Sequence, residues 1–357
     1  MKNSNSIIQN YFQKYNIQAL LVSNLQNVHY LSHFTGSTAT LLVTDRGSFF
    51  FSDFRYMTQA KAQVKGFTII EVARDSTHSI AQQLQKFGLT RLGFEAGALT
   101  FSQYLIYQKG LSGVELVPIV EDPAYIRMVK TSEEIKNIQK AIHVNKLAFE
   151  KILPRIKPGL REEEIAKMLE FEIRNSGGEK LSFDTIIASG PRGALPHGRA
   201  SSKKVKCGEL ITIDFGNVVN NYCSDETCTV GLGKLSSKQK EIYTIVKDAH
   251  DFAVEKIRPG KMGKEIDKVA REYIDKKGYG KYFGHGLGHG IGIAVHERPM
   301  VNTASSDVLD ENMVFSIEPG IYIPKWGGVR IEDLVLCTPK GGKVLSEIDK
   351  RLRILDA

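Results

Sequence analysis

The chain has 357 residues, 48 Lys and Arg against 40 Asp and Glu (formal +8), with 42% hydrophobic and 25% charged residues. That balance excludes a disordered or collagen-like chain, and at roughly 150 residues per domain it predicts two to three domains with a large core. No apolar run approaches the roughly 20 residues of a membrane span, MKNSNSIIQNYF carries no apolar signal region, and the basic residues are dispersed apart from a short cluster at 201–206, so neither a membrane nor a nucleic-acid partner is expected.

Residues 1–122 read as one α/β unit. Ile17–Val22, Thr40–Val43 and Phe49–Phe51 are β-prone, Ser79–Phe87 has a helical pattern, and Arg91–Glu95 reads as a further strand. Glu121-Asp122-Pro123 breaks the pattern, because a proline restricts the residue before it. Thr131-Ser-Glu-Glu134 then fits a capping box, and Ile135, Ile138, Ile142 and Phe149 recur at helical spacing. The boundary is expected near 122–130, giving domains 1–122 and 123–357.

The second domain contains an internal repeat. Ile156-Lys-Pro-Gly precedes the helical stretch Glu162–Asn175, which ends in Gly177-Gly178. About 101 residues on, Ile257-Arg-Pro-Gly precedes Lys264–Lys277 and Gly278. Pro-Gly before a helix and glycine after it are start and stop signals used twice. Leu210–Gly216 then aligns with Val314–Gly320, so Asp214 falls on Glu318, and Ala194-Leu-Pro-His197 aligns loosely with Ala294-Val-His296. A duplicated half-domain with a pseudo-twofold axis follows, with a site where the halves meet.

Each half carries an acidic hairpin. Leu210–Ile213 leads into Asp214, a polar turn near Val219-Asn220 follows, and Asp225 lies on the return strand. A two-residue turn there would set Asp214 directly opposite Asp225, with Cβ atoms roughly 4.5–5.5 Å apart. Val314–Ile317 leads into Glu318, the Pro-Lys-Trp-Gly-Gly turn is centred on Lys325, and Glu332 returns opposite Glu318, with Arg330 on its strand face. Buried bare, four carboxylates would cost several kcal/mol each. Two divalent cations would neutralise them, and oxygen donors with one or two imidazoles suit Mn, Zn, Co or Fe.

The nitrogen donor is expected from Phe283-Gly-His285-Gly-Leu-Gly-His289-Gly-Ile-Gly292. Alternating glycines exclude a helix and predict a loop whose backbone can approach a ligand closely. It matches no dinucleotide fingerprint. His197 and His296 flank the acidic strands and suit proton transfer or oxyanion contact. Cys207, Cys223, Cys228 and Cys337 form no CxxC pair and are expected as reduced thiols.

Together these residues resemble the pita-bread metallopeptidases, the family of aminopeptidase P, prolidase and methionine aminopeptidase. The matching segments are Leu195-Pro-His-Gly, Ile213-Asp-Phe-Gly, Tyr222-Cys-Ser-Asp-Glu-Thr, Gly288-His-Gly-Ile-Gly, His296-Glu-Arg-Pro, Ser316-Ile-Glu-Pro-Gly and Val329-Arg-Ile-Glu-Asp. Residues 1–122 look like the extra N-terminal domain of the Xaa-Pro branch. The resemblance implies an α+β chain, with a pita-bread catalytic domain and a smaller α/β creatinase/prolidase-type domain. It implies Asp214, Asp225, His289, Glu318 and Glu332 as ligands of two metal ions, manganese first, with Asp225 and Glu332 bridging. His197, His285 and His296 would line the substrate pocket, with Arg330 beside Glu332. The implied reaction is hydrolysis of the first bond of Xaa-Pro peptides by a hydroxide bridging the two ions, with His296 on the oxyanion and Glu318 carrying a proton to the leaving nitrogen. Dipeptidase and aminopeptidase both remain open. Methionine-aminopeptidase-like specificity, a metal-free creatinase-like amidinohydrolase and an inactive binding protein on the same fold are the alternatives. A homodimer is implied by the resemblance, and the reduced cysteines place the expected protein in the cytoplasm. Two departures stand out: Cys228, where many relatives carry arginine, and Ala294, where an acid is common.

Overall fold

The computed structural model describes residues 2–73, 75–120 and 123–356. The Glu121-Asp122 break lies outside the described residues. The chain divides into two units, Met1–Arg127 and Met128–Ala357.

In the first unit, β-branched and aromatic runs build a six-stranded sheet, and the intervening stretches form helices. The order along the chain is α1 Lys2–Lys14, β1 Ala19–Val22, α2 Leu25–Ser32, β2 Thr40–Thr44, β3 Gly47–Ser52, α3 Met57–Gln63, β4 Thr68–Glu71, α4 Thr77–Phe87, β5 Arg91–Glu95, α5 Phe101–Gly110 and β6 Glu115–Ile119. The strands lie in the order β4-β3-β2-β1-β5-β6, with the β1/β2 and β2/β3 pairs antiparallel. Both faces are covered. Ala19, Leu21, Phe49 and Phe51 pack with Ile80 and Leu84 of α4, while Leu20, Val22, Leu41 and Phe50 pack with Val28 of α2 and Ala60 of α3. The period of two along each strand sends alternate residues to the two cores.

The second unit opens with α6, Ser132–Ile152. Thr131 Oγ1 accepts from the Glu134 amide, and Glu134 Oε2 accepts from the Thr131 amide at 2.8 Å, so the expected capping box forms. Then come α7 Glu162–Asn175, β7 Lys180–Leu181, β8 Ile186–Ser189, β9 Glu209–Phe215, β10 Asn217–Val219, β11 Tyr222–Cys223 and β12 Glu226–Leu232. The second half supplies α8 Ser237–Lys256, α9 Gly263–Lys276, β13 Gly288–Gly290, β14 Glu297–Val301, β15 Val314–Ile317, β16 Gly320–Ile323, β17 Gly327–Arg330, β18 Asp333–Thr338 and β19 Gly341–Val344, and β20 Ile354–Leu355 closes the chain.

The duplication is visible in the backbone. Gly159 and Gly260, 101 residues apart, have φ of 95° and 86°; Gly177 and Gly278, at the same offset, have 107° and 84°. Isolated bridges Arg161↔Lys204 and Met262↔Val308 also correspond. The principal sheets run β20-β12-β9-β8 and β14-β13-β15-β18-β19. Helices α6 and α7 pack Phe149, Ile165 and Leu169 against Ile211, Ile213 and Phe215 of β9; α8 and α9 pack Ile242, Val246 and Ile266 against Phe315 and Ile317 of β15. Alternation then turns Thr212, Asp214 and Ser316 to the opposite faces.

The hairpin registers separate the two expectations. Gly320 pairs with Arg330 and Ile317 with Asp333, which centres that hairpin on Lys325, as its turn residues predicted. The first hairpin is displaced by two residues. Val219 pairs with Tyr222 and Asp214 with Thr227, so Asp214 does not stand directly opposite Asp225. The turn is Asn220-Asn221, both with positive φ (52° and 65°), the left-handed backbone a two-residue hairpin loop needs. Asp225 is thus a diagonal neighbour of Asp214 on the same face.

Candidate metal centre

The acids reach one place because four strand ends do. Asp214 sits near the end of β9, Asp225 immediately precedes β12, Glu318 follows β15, and Glu332 precedes β18. His289 is the middle residue of β13. These five residues line a cavity of about 510 Å³, together with His197, His285, His296 and Arg330. Asp214, Asp225 and Glu332 offer donor atoms within 4.8 Å of one another, as do His289, Glu318 and Glu332, and Asp225, His289 and His296. The structure therefore brings all nine expected residues to one cavity, and it places His296 close enough to Asp225 and His289 to act as a further donor.

Glycine at 288 and 290 has a different reason from the expected approach of a ligand. A Cβ at Gly288 would lie 1.9 Å from the Ser316 carbonyl oxygen, and one at Gly290 would lie 2.1 Å from that of Arg298. Close strand packing, not ligand contact, excludes a side chain at both positions. The effect is to draw β13 against β15 and fix His289 among the acids. His289 Nδ1 lies 3.1 Å from the Gly290 carbonyl, so an Nδ1–H donated there turns Nε2 towards Glu318 Oε1 (3.3 Å) and Asp225 Oδ2 (3.6 Å), where it donates to Glu318 when protonated and offers a lone pair to a cation when not.

Arg330 is buried. Its Nη2 donates to Asp214 Oδ2 at 2.5 Å, Nη1 to the Pro196 carbonyl and the Tyr322 hydroxyl (both 3.0 Å), and Nε to Thr227 Oγ1 at 3.1 Å. It orients Asp214, with four of its five N–H donors engaged by the protein. Thr227, Tyr322 and Ser316 complete the frame. Thr227 Oγ1 donates to Glu332 Oε2 at 2.7 Å, Tyr322 OH lies 2.9 Å from His285 Nε2, and Ser316 Oγ donates to Glu318 Oε1 at 3.1 Å. Sequence reasoning missed these three. The available signal was strand parity: Thr227 lies two residues from Asp225, and Ser316 two from Glu318.

Burial and mutual charge set the electrostatics of the cavity. Burial raises the Asp225 carboxyl well above 3.8, reinforced by Glu332 and Asp214. Burial likewise raises Glu332 well above 4.5, with Glu318 and Asp214 adding to it. Asp214 is raised by burial against the opposing pull of Arg330. Glu318 goes the other way: burial would raise it, but the hydrogen bond and charge of His289 hold it at about 2. His289 is correspondingly raised, its bond to Glu318 outweighing burial. Burial lowers both His285 and His296, so these imidazoles are neutral near pH 7. Asp214 Oδ1 is buried with no hydrogen-bond partner. Clustered acids that ionise reluctantly, an orphaned carboxylate oxygen and an imidazole lone pair fit hard or borderline divalent cations.

Residues 136–339 match the model of metallopeptidase family M24, and residues 7–129 that of the creatinase/prolidase N-terminal domain. The chain is 38% identical over 338 residues to an Xaa-Pro dipeptidase of Pyrococcus furiosus, covering 94% of this chain and 95% of that one. A solved Xaa-Pro dipeptidase from Bacillus anthracis superposes with a TM-score of 0.96 at 40% identity, covering 99% of both chains. An X-Pro aminopeptidase structure from Thermotoga maritima gives 0.88 at 36%, covering 96% of this chain and 99% of that one. With its duplicated halves, acidic hairpins and prolidase-type N-terminal unit, this chain belongs to metallopeptidase family M24 and has the pita-bread fold.

Proposed function

We propose that this metallopeptidase removes the N-terminal residue from Xaa-Pro peptides, with two divalent ions, manganese first, held by Asp214, Asp225, His289, Glu318 and Glu332. The observation that carries the reading is the set of overlapping donor groups lining one peptide-sized cavity. Asp225 and Glu332 are the carboxylates suited to bridging, since each shares donor groups on both sides. When bound, such ions polarise the scissile carbonyl and lower the pKa of the attacking water.

The chain's own residues do the rest. Glu318, whose Oε1 is held by Ser316 and faces His289, would accept the water proton on its other oxygen and return it to the prolyl nitrogen. That nitrogen has no N–H and must gain a proton as the bond breaks. His296, exposed and neutral, donates a hydrogen bond to the developing oxyanion. His285 is anchored by Tyr322 and His197 borders the same cavity, where both position the peptide. Arg330 keeps Asp214 oriented. Phe183, Ile186, Pro196 and Met300 give the cavity an apolar side suited to a proline ring.

The four free cysteines, three of them buried, fit a reducing compartment, and we place the enzyme in the cytoplasm. Among the described residues no helix is long and apolar enough to cross a membrane. A homodimer is the expected assembly, checked by light scattering. The activity is tested by release of the N-terminal residue from Ala-Pro, Ala-Pro-Ala and Met-Ala-Ala with Mn²⁺, and again after chelation. Metal-dependent cleavage of Ala-Pro alone makes it a dipeptidase, and cleavage of Ala-Pro-Ala as well makes it an aminopeptidase. Cleavage of Met-Ala-Ala alone, or turnover that survives chelation, contradicts the reading.

A further inference from the structure

The two acids assigned as bridges occur in consecutive pairs, Asp225-Glu226 and Glu332-Asp333. Neighbours along an extended strand point to opposite faces. Each pair therefore sends one carboxylate into the cavity and the other behind the sheets. Glu226 and Asp333 are 0% and 4% exposed, and neither lines the cavity.

Behind the sheets both meet Lys350, from the segment between β19 and β20. Its Nζ donates to Glu226 Oε1 at 2.6 Å and lies 3.5 Å from Asp333 Oδ1. The lysine side chain is 4% exposed. His250 of α8 adds its Nε2 at 3.1 Å from Asp333 Oδ2, and Tyr243 of α8 donates to the Lys350 carbonyl at 2.9 Å, fixing the segment. Strands β12 and β18 belong to different sheets, one in each half of the repeat. One backbone bond, from the Glu332 amide to the Thr227 carbonyl (3.2 Å), joins them at this point. An ammonium hydrogen-bonded to β12 and ion-paired with β18 closes that junction from the side opposite the cavity.

We propose that Lys350 is a positioning residue for the metal centre, tying β12 to β18 so that Asp225 and Glu332 keep their spacing. This rests on the metal-site reading above. Without the ammonium, the side-chain tie between β12 and β18 is lost, and the strands that carry the bridging acids are no longer held at one spacing. Groups bonded directly to metal ligands cost roughly 10–100-fold in metal affinity or activity when removed, and a tie one residue further out is expected at the low end of that range.

The test titrates Mn²⁺ into metal-free wild type, Lys350→Met and the charge-balanced double variant Glu226→Gln/Lys350→Met, with folding followed by circular dichroism. Both variants should fold, and at least one Mn²⁺ equivalent should bind about tenfold or more weakly than in wild type. On Ala-Pro at saturating Mn²⁺, kcat should fall while KM stays within about twofold, since no substrate contact is lost. Wild-type Mn²⁺ affinity in a folded variant overturns the proposal. Failure of both variants to fold overturns it too, by making the network a structural tie. If wild type itself binds no Mn²⁺, the metal-site reading has failed instead.

Discussion

At the scale of single residues, the site is a set of acids whose burial is tolerable only with compensation. Asp225 shows this most clearly. Its carboxyl is pushed up by burial and by two neighbouring acids, so ionising it in the metal-free protein costs stability. Asp225→Asn is therefore expected to abolish peptidase activity and lower the bound Mn²⁺ per chain, while the metal-free variant melts no lower than metal-free wild type at pH 7.5. An active variant, or one that retains full metal content, contradicts the assignment. Tyr322→Phe removes the hydroxyl shared by His285 and Arg330. It should lower kcat by about tenfold or more, with metal content unchanged. The acids and histidines were legible because each sat in a motif of its own residue type. Tyr322 and Lys350 were not, since their partners lie in other segments and only the fold brings them together. Lys350 is 124 residues from Glu226.

At the scale of elements, placement of the ligands depends on how closely β13 approaches β15. A methyl at Gly288 would collide with the Ser316 carbonyl, whereas one at Gly284 would meet nothing within 4 Å. Gly288→Ala should lower the melting temperature and weaken Mn²⁺ binding through displacement of His289, and Gly284→Ala should change neither. Equal behaviour of the two variants in a thermal melt would rule out this role for the glycine. The same loop marks a limit of sequence reasoning. Its glycine pattern correctly excluded a helix, but the reason for the glycines is a neighbouring strand, which no local pattern reveals. The hairpins divide in the same way. Pro324, Gly327 and Gly328 bracket Lys325 tightly enough to give the register of β16 and β17. The Asn220-Asn221 turn offers no such bracket, and its left-handed backbone moved the register of the first hairpin by two residues. The site survived that error because a shift of two keeps every side chain on its face.

At the scale of the molecule, the duplicated halves each contribute strand-borne acids, and cations join them into one centre. Asp214, Asp225 and Glu332 all have carboxyls raised above their ordinary values of 3.8, 3.8 and 4.5. A group raised in the folded state contributes stability below its unfolded pKa and loses it as pH rises through the folded one. Glu318, held at about 2, contributes in the opposite sense above its ordinary 4.5. Three acids against one make the metal-free centre a growing burden as pH rises above about 4.5, and bound ions remove it by displacing protons. The rise in melting temperature on adding Mn²⁺ should therefore be larger at pH 8 than at pH 5.5, as calorimetry would read it, and an increment independent of pH would contradict this. The most direct measurement is anomalous diffraction from crystals soaked in Mn²⁺. Two peaks per chain are expected, both within coordination distance of Asp225 and Glu332, one also reaching Asp214 and the other His289 and Glu318. Peaks only elsewhere, or none among these five side chains, would contradict the account.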